Sequence, residues 1–276
     1  MWGLTAESAA VLDVDVLCRV GELAGVQTWP VVLDLWHTAV DGDELAERRA
    51  VADQQIWERR LLVDGEPVAW LATALHILAA PERQLEIRTF SADTGTEPNA
   101  GDPRRTCVAR RGHDHVIARR NGSEVDLAVV DVNSEAEIGA ILAREFPSLE
   151  PAVFTGLSAP TEELATRLTH CTSSGDVADA LRALGAPGPD ATAIASGLTN
   201  CRSRSEIVAV SWSGGFSTQS SGALAVFDTD RGRIVASPSK SPDGRVWTTL
   251  SPGSVNRITQ ATGLLIETLP EGRWMP

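Results

Sequence analysis

The sequence predicts an α+β fold arranged as one pseudo-symmetric body, and two observations carry that prediction. One layout occurs twice, about 120 residues apart, and repeated supersecondary units usually build one body rather than independent domains. Each copy reads as helices, then an antiparallel meander, then one closing helix. The expected organisation is a single domain over residues 1–276 with related halves of about 1–150 and 151–276.

Along the first half, Leu12-Asp13-Val14-Asp15-Val16 alternates apolar and acidic residues, fitting a half-buried strand or the start of a short helix. Trp29-Pro30 introduces Val31–Trp36, an apolar run of strand type. Asp41 with Glu44 three positions on resembles a capping box. The helix it opens should reach about Arg60, with Leu45, Val51, Ile56 and Leu61 inward. Asp64-Gly65-Glu66-Pro67 should start another, with Pro in its first turn. Trp70, Leu71, Ala74, Leu75 and Leu78 continue it at helical spacing until Pro81.

The first meander follows: Leu85–Phe90, a basic strand Thr106–Arg111, Val116–Arg120, an Asn121-Gly122 turn and Val125–Val132. Ser134 and Glu137 cap a helix carrying Ile138, Ile141, Leu142 and Phe146. Helical stretches at Pro160–Leu168, Val177–Leu184 and Ala191–Leu198 separate it from the second meander. That meander comprises Glu206–Trp212, Gly222–Phe227, Arg233–Ser237, a Pro242-Asp243-Gly244 turn and Val246–Leu250. Its closing helix opens at Ser251-Pro252 and ends at Leu269-Pro270. Ser91–Pro103 and Ser213–Ser221 are positional echoes, each long for a hairpin loop, and long loops are mobile or functional.

Composition narrows function. A net charge of −13 opposes nucleic-acid binding, which needs clustered cations to replace counterions. The one basic stretch, Arg104-Arg105 through Arg119-Arg120, is expected to balance local acids on strand faces. Lys240 is the single lysine against 23 arginines, a bias that suggests a GC-rich genome. Cys18, Cys107, Cys171 and Cys201 are scattered, as expected of reduced, buried cysteines in a cytosolic protein. No apolar stretch reaches membrane-spanning length and no leader pattern opens the chain, so a cytoplasmic protein without membrane insertion is expected.

The chemical constellations are incomplete. His113-Asp114-His115 has metal-pair spacing but sits at a Gly112 turn, and reads as an exposed turn. His170-Cys171 reads as a helix-end histidine beside a packed cysteine, since adjacent residues rarely face each other. His37 and His76 read as structural. Ser237-Pro238-Ser239-Lys240 matches SxxK, yet it ends a strand rather than opening a helix, and the SDN and KTG companions are missing. Asp13/Asp15 and Asp41/Asp43 read as surface alternation and cap. No phosphate or dinucleotide cradle is present. No cofactor, metal or catalytic residue is therefore expected. Of the eight tryptophans, most should be core anchors. Trp212 with Phe216 is the exception, an aromatic pair leading into a polar loop, typical of partner-binding surfaces.

An ordered series of segments resembles one known family. Val11–Leu23, Trp29-Pro30, the helix from Glu44 and Leu78-Ala79-Ala80-Pro81-Glu82-Arg83-Gln84-Leu85-Glu86-Ile87-Arg88 resemble the N-terminal half of EspG proteins. In the C-terminal half the resemblance is closer. It runs through Gly232-Arg233-Ile234, Ser237-Pro238-Ser239-Lys240, Asp243-Gly244, Thr248-Thr249-Leu250-Ser251-Pro252-Gly253-Ser254 and Leu269-Pro270-Glu271-Gly272-Arg273-Trp274-Met275-Pro276.

EspG proteins are cytosolic chaperones of actinobacterial type VII secretion. The resemblance implies a central antiparallel sheet flanked by two helical bundles with quasi-two-fold symmetry. It also implies binding of a PE–PPE-type heterodimer at the apolar tip of the PPE subunit, without cofactor or metal, by a monomer or weak homodimer. Covering such a tip keeps a cargo soluble. The family's contact surface, carried here, suggests Ser91–Thr106, the strand and loop Trp212–Ser221 and the helix after Pro252. Within these segments the candidate partner-binding residues are Ser91, Thr94, Thr96 and Asn99 of the first and Trp212, Phe216, Ser217, Gln219 and Ser220 of the second. A small hydrolase or transferase, or an adaptor for other secretion components, is the rival expectation.

Overall fold

The computed structural model describes residues 8–35, 41–91 and 102–276. They divide into two compact units. The first takes the described residues up to Ile87, Arg104–Val132 and Trp212–Gly215; the second takes the rest.

In the first unit, strand β1 (Ala9–Asp13) runs directly into helix α1 (Val14–Leu23), so the alternating stretch ends a strand and starts a helix. Asp13 makes the switch: its backbone is extended and its carboxylate accepts from the Asp15 N–H at 2.8 Å, satisfying a donor of the first helical turn. Val31–Leu33 form a 3₁₀ turn instead of the expected strand. Helix α2 (Gly42–Glu58) opens on Asp41, whose carboxylate accepts from the Glu44 N–H. Ile56 and, just beyond the helix, Leu61 are buried, but Val51 is 58% exposed. The inward line of α2 runs through Ala52 and Ile56, and a neighbouring position is rotated off it by about 100°.

Asp64-Gly65 does not start a helix. Both residues have positive φ and turn a small hairpin of β2 (Leu62–Val63) and β3 (Glu66–Pro67), the geometry of a type I′ turn. Helix α3 (Ala69–Ala79) follows, burying Leu71, Ala74, Leu75 and Leu78. Then come β4 (Arg83–Ser91), β5 (Arg104–Arg111), β6 (Asp114–Asn121) and β7 (Glu124–Val130). Within the unit β1, β7, β6 and β5 pair antiparallel in that order. The β6–β7 turn is Gly122-Ser123, one residue past the expected pair, with Gly122 at φ 59. The core joins α1, α2 and α3 to these strands through Leu12, Leu17, Ile56, Leu75, Val116 and Leu127.

The basic strand face is neutralised locally, as expected. Arg105 and Arg120 are cross-strand neighbours that both reach the 3₁₀ turn. Arg120 donates to the Leu33 carbonyl at 2.9 Å and Arg105 lies 3.2 Å from the Asp34 carboxylate. Arg119 pairs with Asp126 at 3.0 Å.

The second unit begins with α4 (Glu135–Arg144), then β8 (Leu157–Pro160), α5 (Thr161–Leu168), α6 (Ser174–Ala183) and α7 (Gly188–Thr199). Strands β9 (Cys201–Ser213, whose last two residues belong to the first unit), β10 (Phe216–Gln219), β11 (Leu224–Thr229), β12 (Gly232–Lys240) and β13 (Val246–Pro252) precede α8 (Val255–Glu267). Strands β9, β11, β12, β13 and β8 pair antiparallel in that order. Ser251-Pro252 finishes β13, and Ser254 is the cap of α8. Helices α4 and α8 cross closely at Gly139, where a Cβ would stand 2.7 Å from Thr259 Cγ2. On the other side, α5, α6 and α7 pack with the sheet through Leu164, Leu181, Ile194 and Leu250.

Candidate partner-binding surface

Ser213–Ser221 is not one long loop. Strand β9 turns at Gly214 (φ 59) and Gly215 (φ 83), a two-residue type I′ turn, and returns as β10. Two glycines suit that turn because both positions need positive φ, which costs any residue with a Cβ. The hairpin's base is tied by the Ser220 N–H to the Ala209 carbonyl at 2.7 Å. The Ser220 hydroxyl accepts from the Ala209 N–H and donates to the Gly222 carbonyl.

Trp212 is anchored by its main chain, its N–H donating to the Glu82 carbonyl at 2.9 Å. Glu82 is itself fixed. Its N–H donates to the Arg110 carbonyl at 2.8 Å, and its carboxylate takes the Arg110 guanidinium at 3.1 Å and the Gly112 N–H at 3.3 Å. Sequence reasoning missed Glu82 in this role, since main-chain pairing across about 130 residues leaves no local signal.

The side chains of β10 face outward: Phe216 is 79% exposed, and Ser217, Thr218 and Gln219 are all exposed. Trp212 is 41% exposed. Two aromatics and a run of short polar side chains on one hairpin match what partner-binding surfaces use. Of the other expected site residues, Ser91 is exposed at the end of β4, and Ser220 is engaged in holding the hairpin base. Thr94, Thr96 and Asn99 lie outside the described residues.

The groups weighed for catalysis stand in structural settings. Ser237 is buried in β12 with its hydroxyl toward the Thr249 carbonyl, while Lys240 is exposed at the strand end. Burial is the main cause that pushes the Cys18 thiol up to about 12 and Cys201 to about 11, and it pushes Cys107 well above its ordinary value. Thiols so shifted are poor nucleophiles. Cys171 bonds the Arg167 carbonyl at the end of α5, and His170 is exposed, as expected of a helix end. The sequence expectation of an exposed turn fails for His115. It lies fully buried in β6, its Nδ1 2.9 Å from the His113 carbonyl, and burial lowers its pKa to about 4. No helix among the described residues is long and apolar enough to cross a membrane.

Most of the described tryptophans are buried or partly buried, as expected, and Trp57 is the departure. Trp274 is fully buried, with its N–H donating to the Glu135 carboxylate at 2.7 Å, and Trp29 is partly buried against the first unit's core. Trp57, expected in the core, is 80% exposed. Trp2 and Trp36 lie outside the described residues.

Comparison with known proteins places this architecture. The family model described as the EspG family matches residues 13–262. An ESX-3 secretion-associated protein EspG3 of Mycobacterium tuberculosis is 30% identical over 98% of this chain and 94% of its own length. An ESX-1 secretion-associated protein EspG1 of the same species is 33% identical over 76% of this chain and 69% of its own length. Among solved structures, the Mycobacterium tuberculosis type VII secretion system chaperone EspG5 in complex with a PE25–PPE41 dimer has a similar fold. Its TM-score is 0.80 at 18% identity, covering 97% of this chain and 99% of that one. With a family model matching nearly its whole length and relatives of like extent, the chain belongs to the EspG family.

Proposed function

We propose that this chain is a cytoplasmic chaperone of type VII secretion that binds a PE–PPE-type heterodimer at the apolar tip of its PPE subunit before export. The observation that carries the reading is family membership over residues 13–262, joined to a fold shared with a chaperone solved in complex with such a dimer. EspG proteins are chaperones rather than enzymes, and the buried Ser237 and high-pKa thiols agree with that. The contact surface we assign is the β9–β10 hairpin, with Trp212 and Phe216 as aromatic anchors and Ser217 and Gln219 as polar contacts, together with the segment that begins at Ser91. Exposed aromatics in a hydrogen-bonding frame cover an apolar tip well, because large rigid side chains dominate interface energetics.

The reading also includes related halves of about 1–150 and 151–276. Its support is the recurrence of three antiparallel strands and a helix, β5–β6–β7 with α4 and β11–β12–β13 with α8.

Coexpression with the PE–PPE-type pair from the same genome, followed by gel filtration, tests the function. Co-elution of all three chains with a soluble, monodisperse cargo is expected. Cargo that elutes alone, or aggregates equally with and without the chain, would contradict it.

A further inference from the structure

Glu82 is held at both main-chain groups and at its carboxylate. Its N–H donates to the Arg110 carbonyl at 2.8 Å, and carboxylate Oε2 takes the Arg110 guanidinium at 3.1 Å and the Gly112 N–H at 3.3 Å. Arg110 closes the ring, donating from Nη1 to the Gly112 carbonyl at 2.7 Å. The Glu82 carbonyl then accepts twice, from the Trp212 N–H at 2.9 Å and from Arg83 Nη1 at 2.8 Å.

Two guanidinium groups are thus buried around one residue, Arg83 at 5% and Arg110 at 3% exposure. Taking such charges out of water is costly. A buried polar network whose groups are bonded to one another rigidifies what it holds.

What it holds is the aromatic at the end of β9. Trp212–Gly215 belong to the first unit, together with Glu82, Arg83 and Arg110. Beyond Trp212 the hairpin supplies little rigidity of its own: two glycines at positive φ make the turn, and Phe216–Gln219 are all exposed. A two-stranded hairpin is marginally stable by itself. The place of Trp212 therefore depends on the root of the hairpin, where its N–H meets Glu82.

We propose that Glu82 is a positioning residue for cargo binding. Without touching the cargo, it presets Trp212 where the indole meets a partner, while Arg83 and Arg110 clamp the peptide that carries the bond. The proposal rests on the reading of the β9–β10 hairpin as the cargo surface. Groups ordered in advance need not be ordered on binding, so a preset Trp212 binds more tightly. Removing the carboxylate leaves the Glu82 carbonyl in place but releases it from Arg110 and Gly112, and the Trp212 N–H loses a fixed acceptor.

Two measurements test this: hydrogen exchange of the Trp212 main-chain amide by NMR in the full chain alone, and calorimetric affinity for the PE–PPE-type pair. Glu82→Ala should speed exchange at Trp212 about tenfold and weaken cargo binding about fivefold. Glu82→Gln keeps an acceptor for Gly112 and should bring both to within about twofold of the parent. Trp212→Ala should weaken binding about tenfold, and adding Glu82→Ala to it should weaken binding no further. If Glu82 served stability alone, Ile56→Ala, a core change in α2 of similar consequence for the fold, would move both readings as much. It should leave them at parent values, with thermal unfolding confirming that each variant is folded. Unchanged exchange at Trp212 in Glu82→Ala would overturn the proposal. So would additive losses in the double variant, which would put Glu82 itself against the cargo. A parent that fails to bind the pair contradicts the chaperone reading instead, and the exchange at Trp212 then decides alone whether Glu82 positions it.

Discussion

The Trp212 N–H meets the Glu82 carbonyl at 2.9 Å, and the carboxylate of the same glutamate holds Arg110. One residue thus fixes the root of the candidate hairpin and neutralises a guanidinium that is only 3% exposed. Glu82→Ala removes the carboxylate and leaves that guanidinium in place. We expect a loss of about 2–3 kcal/mol in urea unfolding, below the range for fully buried pairs because Glu82 is itself half exposed. Glu82→Gln, which keeps an acceptor for the Gly112 N–H, should lose less.

In the second unit the corresponding risk is greater. Asp228 and Arg233 face each other directly across β11 and β12, with Nε–Oδ1 at 2.6 Å and Nη2–Oδ2 at 3.0 Å, both residues buried. Arg233 Nη2 also donates to the Pro147 carbonyl, and its guanidinium lies 5.4 Å from the Phe146 ring centroid. Asp228→Ala strands that charge, and a loss of about 3–5 kcal/mol is expected. The double variant with Arg233→Met should be more stable than Asp228→Ala alone, which a two-denaturant double-mutant cycle measures.

Those two clusters also mark what the sequence could convey. Where spacing is local, it was legible: the Asp41 cap, the buried face of α3 and the order of strands in both meanders follow from periodicity and turn residues. Where the outcome depends on distant partners, it was not. Val31–Leu33 has strand composition, but Arg105 and Arg120 hold its end as a 3₁₀ turn from more than 70 positions away. Asp64-Gly65 suits a helix start and a type I′ turn equally, and the pairing of Leu62 with Pro67 selects the turn.

Arg60 offers a stabilising change. Its left-handed conformation at the end of α2 disfavours any residue with a Cβ. Arg60→Gly should raise stability by about 0.5–1 kcal/mol, read as a higher urea midpoint at unchanged slope. A lower midpoint would mean that the arginine side chain itself supports the fold.

His115 gives acid sensitivity. Burial holds it neutral with a pKa of about 4, the Arg110 and His113 charges lower it further, and the His113 carbonyl and Asp114 act against the shift. In the unfolded chain it protonates near 6.5, so the unfolded state binds a proton that the folded state refuses between those values. Stability from this group is fully present above about pH 6.5 and is lost as pH falls toward about 4, up to roughly 3 kcal/mol. His115→Gln should remove this part of the slope in unfolding free energy measured from pH 7 to 4. A slope identical to the parent's would refute the assignment.

The candidate site was partly legible. Trp212 and Phe216 stood out as aromatics around a Gly-Gly pair, and the structure leaves both exposed on a tight hairpin. The strand character of Phe216–Gln219 was not, because four exposed residues have no apolar alternation to report it. Trp57 was read as core because residue type alone favours burial, while its helix buries the line through Ala52 and Ile56 instead.

The affinity of the purified chain for its PE–PPE-type pair, measured by calorimetry for the parent, for Phe216→Asp and for Val153→Asp, tests the central claim most directly. Phe216 and Val153 are 79% and 89% exposed, so both variants should fold as the parent does. We predict that Phe216→Asp weakens binding by about tenfold to a hundredfold while Val153→Asp leaves it unchanged. Parent-like affinity in Phe216→Asp would contradict the hairpin as the cargo surface, and no binding by the parent would contradict the chaperone function itself.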